Sequence, residues 1–203
     1  MARITSREAL RQLYPEAKGR AVSKVFHRLE EQSRKFIALS PFVLIATQGP
    51  GGGDVSPKGD QPGFVQVLDD VTLAIPDRPG NNRLDGFENV LDNPQVGLIF
   101  MIPGFNETFR VNGTAEIRDD ADLLARFEVD GKLPKTCLVV TLKEAFLHCA
   151  KALMRSRLWD PEARVSRDAL PTVSQMMRAQ TGDQSIADET TEDAAARYRK
   201  VLY

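Results

Sequence analysis

An α+β fold, with a mostly antiparallel β body and helices at both ends, is what three features of this sequence predict. Between Pro41 and Leu147, apolar stretches of strand length recur, punctuated by Gly, Pro, Asp and Asn. Before Pro41 and after Ala150 the apolar residues recur at helical spacing instead. The chain has 203 residues, 42% hydrophobic and 27% charged, which suits one globular domain with one sizeable core. The expected organisation is therefore a single domain over 1–203, with N-terminal helices in 1–40 and a helical C-terminal tail in 150–203.

The elements follow in order. Thr5-Ser6-Arg7-Glu8 has the outline of a capping box with Thr5 as the cap, so a short helix should run to Tyr14, where Pro15 discourages continuation. Val22, Val25, Phe26, Leu29, Phe36, Ile37 and Leu39 predict one or two further helices, ending at Ser40-Pro41. The continuous apolar run Phe42 to Ala46 reads as a buried strand, followed by the Gly49-Pro50-Gly51-Gly52-Gly53 loop. That loop lacks the lysine and hydroxyl of a phosphate-cradling G-x-x-x-x-G-K-[ST] motif and reads as a plain hairpin turn. Phe64 to Leu68 and Val71 to Ile75 form a hairpin turning at Asp69-Asp70. A helix opened by Asn81 or Asn82 should carry Leu84, Phe87, Val90 and Leu91 on one face and stop at Asp92-Asn93-Pro94. Strands are expected at Val96 to Ile102 and Thr108 to Ile117, and a short helix capped by Asp119 or Asp120 after them. Thr136 to Leu147 is strongly β, with Lys143-Glu144 either turning it or lying on an exposed edge. Helical patterns close the chain at Ala150 to Leu158, Val173 to Ala179 and Glu189 to Leu202.

The densest stretch is Asp54 to Arg83, where cations, glycines and turn residues flank the central hairpin. Antiparallel pairing would carry Ser56 and Lys58, which precede the hairpin, and Arg78, Gly80, Asn81, Asn82 and Arg83, which follow it, to one end of the sheet. A phosphate placed there would receive charge-assisted bonds from Lys58, Arg78 and Arg83, and N–H groups from the helix that begins beside them. The plain alternative is a set of solvated surface side chains, the usual fate of single Lys and Arg residues.

Composition narrows the function classes. With 27 basic against 28 acidic residues there is no general basic surface for nucleic acid or an anionic membrane. No apolar run reaches the roughly 18–20 residues of a membrane span, and Met1 to Glu8 lacks the apolar core of a signal peptide, so a cytoplasmic location is expected. Cys137 and Cys149 have no C-x-x-C spacing and suit reduced thiols. His27 and His148 lack the Cys or carboxylate company of a metal site, and no nucleophile elbow is present.

Four blocks together, S-P-K-G-D-Q-P-G-F-V, I-P-D-R-P-G-N-N-R, N-P-Q-V-G-L-I-F and E-T-F-R-V-N-G, resemble the FMN-binding split-barrel family related to pyridoxamine 5′-phosphate oxidase. The likeness runs from Ser33 to Pro161 and implies a split β-barrel holding FMN at a homodimer interface. It implies that Arg83 and Asn82 hold the FMN phosphate with Arg78 nearby, and that Val55, Ser56, Ile75 and Pro76 line the ring and ribityl chain. Thr108 and Arg110 occupy the strand from which members of the family contact the flavin, though cross-strand charge pairing explains them equally. Lys151, Arg155 and Trp159 match a K-A-L-x-R-S-x-L-W block of one branch, implying that a partner subunit closes over the flavin; a lone Trp after a helix is otherwise a core anchor. The implied activity is an FMN-dependent oxidoreductase using an electron carrier such as NADH or NADPH, with the cofactor doing the electron chemistry. Its rivals are a flavin storage or redox-sensing protein and a haem-binding relative of the same barrel. The R-x-x-L-L-K strand and the Arg-rich C-terminal substrate block of true pyridoxamine-phosphate oxidases are not evident, and helical sequence follows Trp159, which speaks against vitamin B6 oxidation.

Overall fold

A computed structural model describes residues 3–203. Seven strands form one antiparallel sheet: β1 (Phe42–Gly49), β2 (Gly52–Gly59), β3 (Gln66–Val67), β4 (Thr72–Pro76), β5 (Gln95–Met101), β6 (Thr108–Arg118) and β7 (Cys137–His148), in the order β2-β1-β5-β6-β7-β4-β3. Helices α1 (Arg7–Leu13), α2 (Arg20–Ser23) and α3 (Glu31–Leu39) precede the sheet, and α4 (Asp85–Asp92) and α5 (Ala121–Ala125) interrupt it. After it come α6 (Lys151–Ser156), α7 (Val173–Thr181) and α8 (Thr191–Arg199). This is the split-barrel architecture, α+β with a predominantly antiparallel sheet, and α3 packs against both β3 and β6, which the curl of the sheet brings within reach of one helix. No helix among the described residues is long and apolar enough to cross a membrane.

Residues paired across antiparallel strands share a face, so register decides which side chains meet. The inner face carries Val43, Ile45, Leu98, Phe100, Phe109, Val111, Val140 and Leu142, all buried in the main core with Ile37 of α3 and Val90 of α4. A second small cluster gathers Leu124 and Phe127 around α5 against Ala74, Cys137 and Val139 on the other face. Cys137 is buried there, and burial pushes its thiol up to about 11, whereas Cys149 is exposed.

Several local expectations need correction. Ser6, not Thr5, caps α1, because it is Ser6 that is extended and accepts the Ala9 N–H at 3.1 Å. β1 alternates between buried and half-buried residues rather than being buried throughout, since only its inner face meets the core. Ser56 and Lys58 lie within a strand of their own, β2, hairpinned to β1 through the glycine turn. α4 starts at Asp85 rather than at Asn81 or Asn82: Asn82 (φ 56°) and Leu84 (φ 58°) are left-handed, and Asn81 Oδ1 accepts the Arg83 N–H at 3.1 Å, so the chain turns before it coils. Leu91, placed with the apolar face of α4, is 76% exposed. Lys143 and Glu144 do not turn β7, which runs on to His148; β4 pairs only with Cys137 to Thr141, so past that point this side of β7 is met by the Phe26–Ala145 bridge, and Lys143 is exposed there. Asp120 is at the N-cap of α5, but its carboxylate is held by Arg118 instead of the helix.

Candidate functional site

A cleft of about 230 Å³ opens between the β1–β2 hairpin, the segment 77–84 and the first turn of α4. Its position follows from register. Lys58 pairs with Val43, Ser56 with Ile45 and Asp54 with Thr47, so three polar side chains of β2 face the same side as the apolar core residues of β1. Ile45, Phe87 and Leu138 give the cleft an apolar floor, and Ser56, Lys58, Arg78, Asn82 and Arg83 line its polar side. Residues 20 and more apart in sequence thus line one cleft, with Ser56 and Lys58 set there by the pairing of β2 with β1 rather than by the β3–β4 hairpin.

Each cation has a carboxylate partner. Lys58 Nζ lies 3.0 Å from Asp77 Oδ1 and 5.6 Å from the centre of the Phe87 ring. Arg83 contacts Asp85 at 2.8 Å on the surface, where its side chain is 73% exposed. Arg78 is the fixed one: its Nε donates to Asp60 Oδ2 at 2.6 Å and its Nη1 to the Phe127 carbonyl at 2.8 Å. Burial pushes the Asp60 carboxyl up, but hydrogen bonds from Tyr203, the Gln61 N–H and Arg78 outweigh burial and hold it below the usual carboxylate range. An exposed pair such as Arg83–Asp85 contributes little and is readily exchanged for a stronger anion, whereas the enclosed Arg78–Asp60 pair is structural.

The remaining parts brace the cleft. Asn89 of α4 donates to Thr47 Oγ1 at 3.1 Å, and Gly49 leaves room for Asn89, since a Cβ there would lie 2.0 Å from its side-chain oxygen. Gly86 lies over the Thr47, Asp54 and Ser56 side chains. The first intrahelical bond of α4 is made by Phe87 N to Leu84 O at 2.8 Å, so the amides of Asp85 and Gly86 precede the helical ladder beside the cleft.

Other residues read as cofactor contacts lie elsewhere in the single chain. Ile75 and Pro76 are buried in β4, with Ile75 paired to Leu138 of the cleft floor. Val55 points to the opposite face of β2 and is 59% exposed. Thr108 and Arg110 share that outer face; Thr108 is buried, and Arg110 Nε donates to Asn112 Oδ1 at 3.0 Å. Asn112 in turn donates across the strands to Glu144 at 2.7 Å, so Arg110 itself bonds within β6 and reaches the neighbouring strand only through Asn112 and over the Phe146 ring, at 5.6 Å from its centre. Lys151 and Arg155 are exposed on α6, and Trp159 is half-buried with its indole N–H donating to the Phe105 carbonyl at 2.7 Å. Sequence reasoning missed Asp60, Asp77, Asp85, Thr47 and Asn89. The D-R pair at Asp77-Arg78 and the aspartate beside Lys58-Gly59 were the available signals; Tyr203, 143 residues from its partner Asp60, gave none.

His148 ends β7 with its Nε2 buried and without a partner among the described residues. Burial, then the charges of Lys24 and Arg110, hold its pKa below the ordinary value, so it is neutral at neutral pH. Among the described residues no group of three or more His, Cys, Asp or Glu side chains could hold a metal.

A family model described as pyridoxamine 5′-phosphate oxidase matches residues 29–149, more than half of the chain. Among solved structures, HupZ of Group A Streptococcus is 19% identical with a TM-score of 0.47, the match covering 59% of this chain and 93% of that one. An FMN-binding protein from Syntrophomonas wolfei is 13% identical with a TM-score of 0.45, covering 57% and 83%. A NimC/NimA family protein from Clostridium acetobutylicum is 18% identical with a TM-score of 0.42, covering 59% and 87%. No curated protein matches the chain. With the motif blocks, the split-barrel sheet and the family model agreeing, the chain belongs to the pyridoxamine 5′-phosphate oxidase-like FMN-binding split-barrel family.

Proposed function

We propose that the protein binds FMN as a homodimer and acts as an FMN-dependent oxidoreductase with a small-molecule substrate, drawing electrons from a carrier such as NADH or NADPH. The observation that carries this reading is the convergence of Ser56, Lys58, Arg78, Asn82 and Arg83 on one cleft with an apolar floor. The donor set fits a phosphate monoester: an exposed guanidinium, an ammonium, and backbone amides at the start of α4. Ile45, Phe87 and Leu138 fit the less polar part of the cofactor. A cleft of about 230 Å³ is smaller than the ~300–1,000 Å³ of pockets that enclose a whole ligand, which supports a site completed by a second subunit.

FMN, when bound, supplies hydride and single-electron transfer. The chain's own residues bind and orient. Arg83 exchanges its surface carboxylate for the phosphate, Arg78 holds the segment 77–84 in place, and Lys58 adds positive charge beside Phe87. Thr108, Arg110 and Val55 face away from the cleft of their own chain, so in this reading they act on the cofactor across the dimer.

The test is to purify the protein and measure FMN and riboflavin binding to wild type and Arg83→Ala. A charged hydrogen bond contributes about 1.5–3 kcal/mol, so the variant should bind FMN roughly tenfold to a hundredfold more weakly and riboflavin nearly as before. Equal loss of both ligands removes Arg83 from the phosphate site. A colourless protein that takes up no FMN sinks the cofactor reading, and a Soret band favours the haem-binding alternative.

A further inference from the structure

Behind the cleft, the Asp60 side chain is 3% exposed, and both of its oxygens are engaged. Oδ2 accepts from Arg78 Nε at 2.6 Å; Oδ1 accepts from the Gln61 N–H at 2.7 Å and from the Tyr203 hydroxyl at 2.5 Å. Tyr203 is held in turn. Its ring lies 5.5 Å from the Arg78 guanidinium carbon, and its main-chain oxygen accepts from Lys132 Nζ at 2.9 Å. Tyr198, Val201, Leu202 and Tyr203 thus form one wall of a cleft of about 800 Å³ whose facing wall is the segment 78–81. The far end of the chain rests on the loop that carries the cations of the first cleft.

That loop needs an external clamp. Gly80, Asn81, Asn82, Arg83 and Leu84 are exposed, Asn82 and Leu84 are left-handed, and the loop is neither strand nor helix. Ordering such a segment costs about 1–2 kcal/mol of backbone entropy per residue, so a loop that must meet a phosphate gains affinity from being fixed beforehand. Arg78 opens the loop and is the only one of its cations pinned inside the protein. Its anchor, a buried carboxylate, holds its charge only while its hydrogen-bond partners stay in place.

We propose that Tyr203 is a positioning residue of the anion site: its hydroxyl fixes Asp60, Asp60 fixes Arg78, and Arg78 fixes the loop that presents Asn82 and Arg83. The residue touches no ligand and acts through this relay. The inference rests on the reading of the first cleft as a phosphate site. A tail that merely anchors the fold predicts something different, a general loss of stability with no preference between a phosphorylated and an unphosphorylated flavin.

The test uses the full chain with Tyr203→Phe, which keeps the ring over Arg78 and removes only the hydroxyl. Two measurements are made. Hydrogen exchange of the ligand-free protein should quicken about tenfold at the two hydrogen-bonded amides that bound the loop, Asp77 (to the Thr136 carbonyl, 2.9 Å) and Arg83 (to Asn81 Oδ1, 3.1 Å), leaving those of β5 and β6 unchanged. Affinity for FMN should fall roughly three- to tenfold, that for riboflavin by less than about twofold. Unchanged exchange at Asp77 and Arg83 overturns the relay, as does an equal loss of FMN and riboflavin. Wild-type protein that binds no FMN refutes the flavin reading instead, and the exchange result then decides the relay alone.

Discussion

Single side chains here are informative mainly through their partners. The sequence marked Lys58, Arg78 and Arg83 as cations near one another, and the structure pairs every one with an aspartate, so the three differ in freedom rather than in charge. Arg83 is free to take an anion at small cost, and Arg78 is not. The Asp60–Tyr203 contact depends on pH at both of its ends. The folded carboxyl of Asp60 lies below its ordinary 3.8, so its contribution is present above that value and lost as pH falls through the lowered one. The hydrogen bond to Asp60, then burial, raises the Tyr203 phenol above 10.0; its contribution is present below 10.0 and lost as pH rises through the raised value. The contact should therefore be intact across the intervening range and fail at both extremes. A difference titration of tyrosinate absorbance, wild type against Tyr203→Phe, should place the ionisation of this residue above 10.0. A midpoint at or below 10.0 would mean that the hydroxyl does not serve Asp60 in solution.

Elements whose side-chain periods were unambiguous were legible, and those decided by backbone detail were not. The strands over Val96 to Ile102 and Thr108 to Ile117 were readable because their apolar residues match a pleated, half-buried surface. The start of α4 was misread by three residues or more, because the left-handed turn at Asn82 and Leu84 leaves no periodic signal and Leu84 is an unusual residue to adopt it. Likewise Lys143-Glu144 read as either a turn or an exposed edge, and the strand continues through them. The reason lies across the sheet: the β6–β7 register shifts between Asn112 and Gly113, and the bulge lets Glu144 face Asn112 while the ladder runs on. Gly113 makes that bulge possible, since a Cβ there would lie 2.1 Å from the Thr141 carbonyl oxygen, a backbone atom that cannot step aside. Gly113→Ala should destabilise the fold by about 3 kcal/mol, the upper end of the ordinary cost of overpacking. Denaturant unfolding would measure it, and a loss under about 0.5 kcal/mol, the level of a surface change, would show that β6 and β7 re-register freely.

At the scale of the whole molecule, the strand expected to be buried bears on the proposed dimer. Phe42 to Ala46 is apolar without interruption, the pattern of a strand covered on both faces, yet within one chain Val43 and Ile45 are buried while Phe42, Leu44 and Ala46 are only half-buried. The same outer face continues through Val55, Gly97, Ile99 and Met101 and reaches Thr108 and Arg110, which the family resemblance links to the flavin. In the dimer proposed above, a second copy of the chain packs here, covers the unpartnered apolar residues and brings Arg110 to the cleft of its neighbour. The expected result is a dimer in sedimentation, with flavin quenching the fluorescence of Trp159, the only tryptophan. Ile99→Lys places a charge in the middle of that face without touching the cleft. It should give a folded monomer that binds FMN at least tenfold more weakly, because each site loses the residues its partner contributes. Retention of tight FMN binding by a monomer, wild type or variant, would show that one chain suffices and would return Thr108 and Arg110 to cross-strand pairing alone.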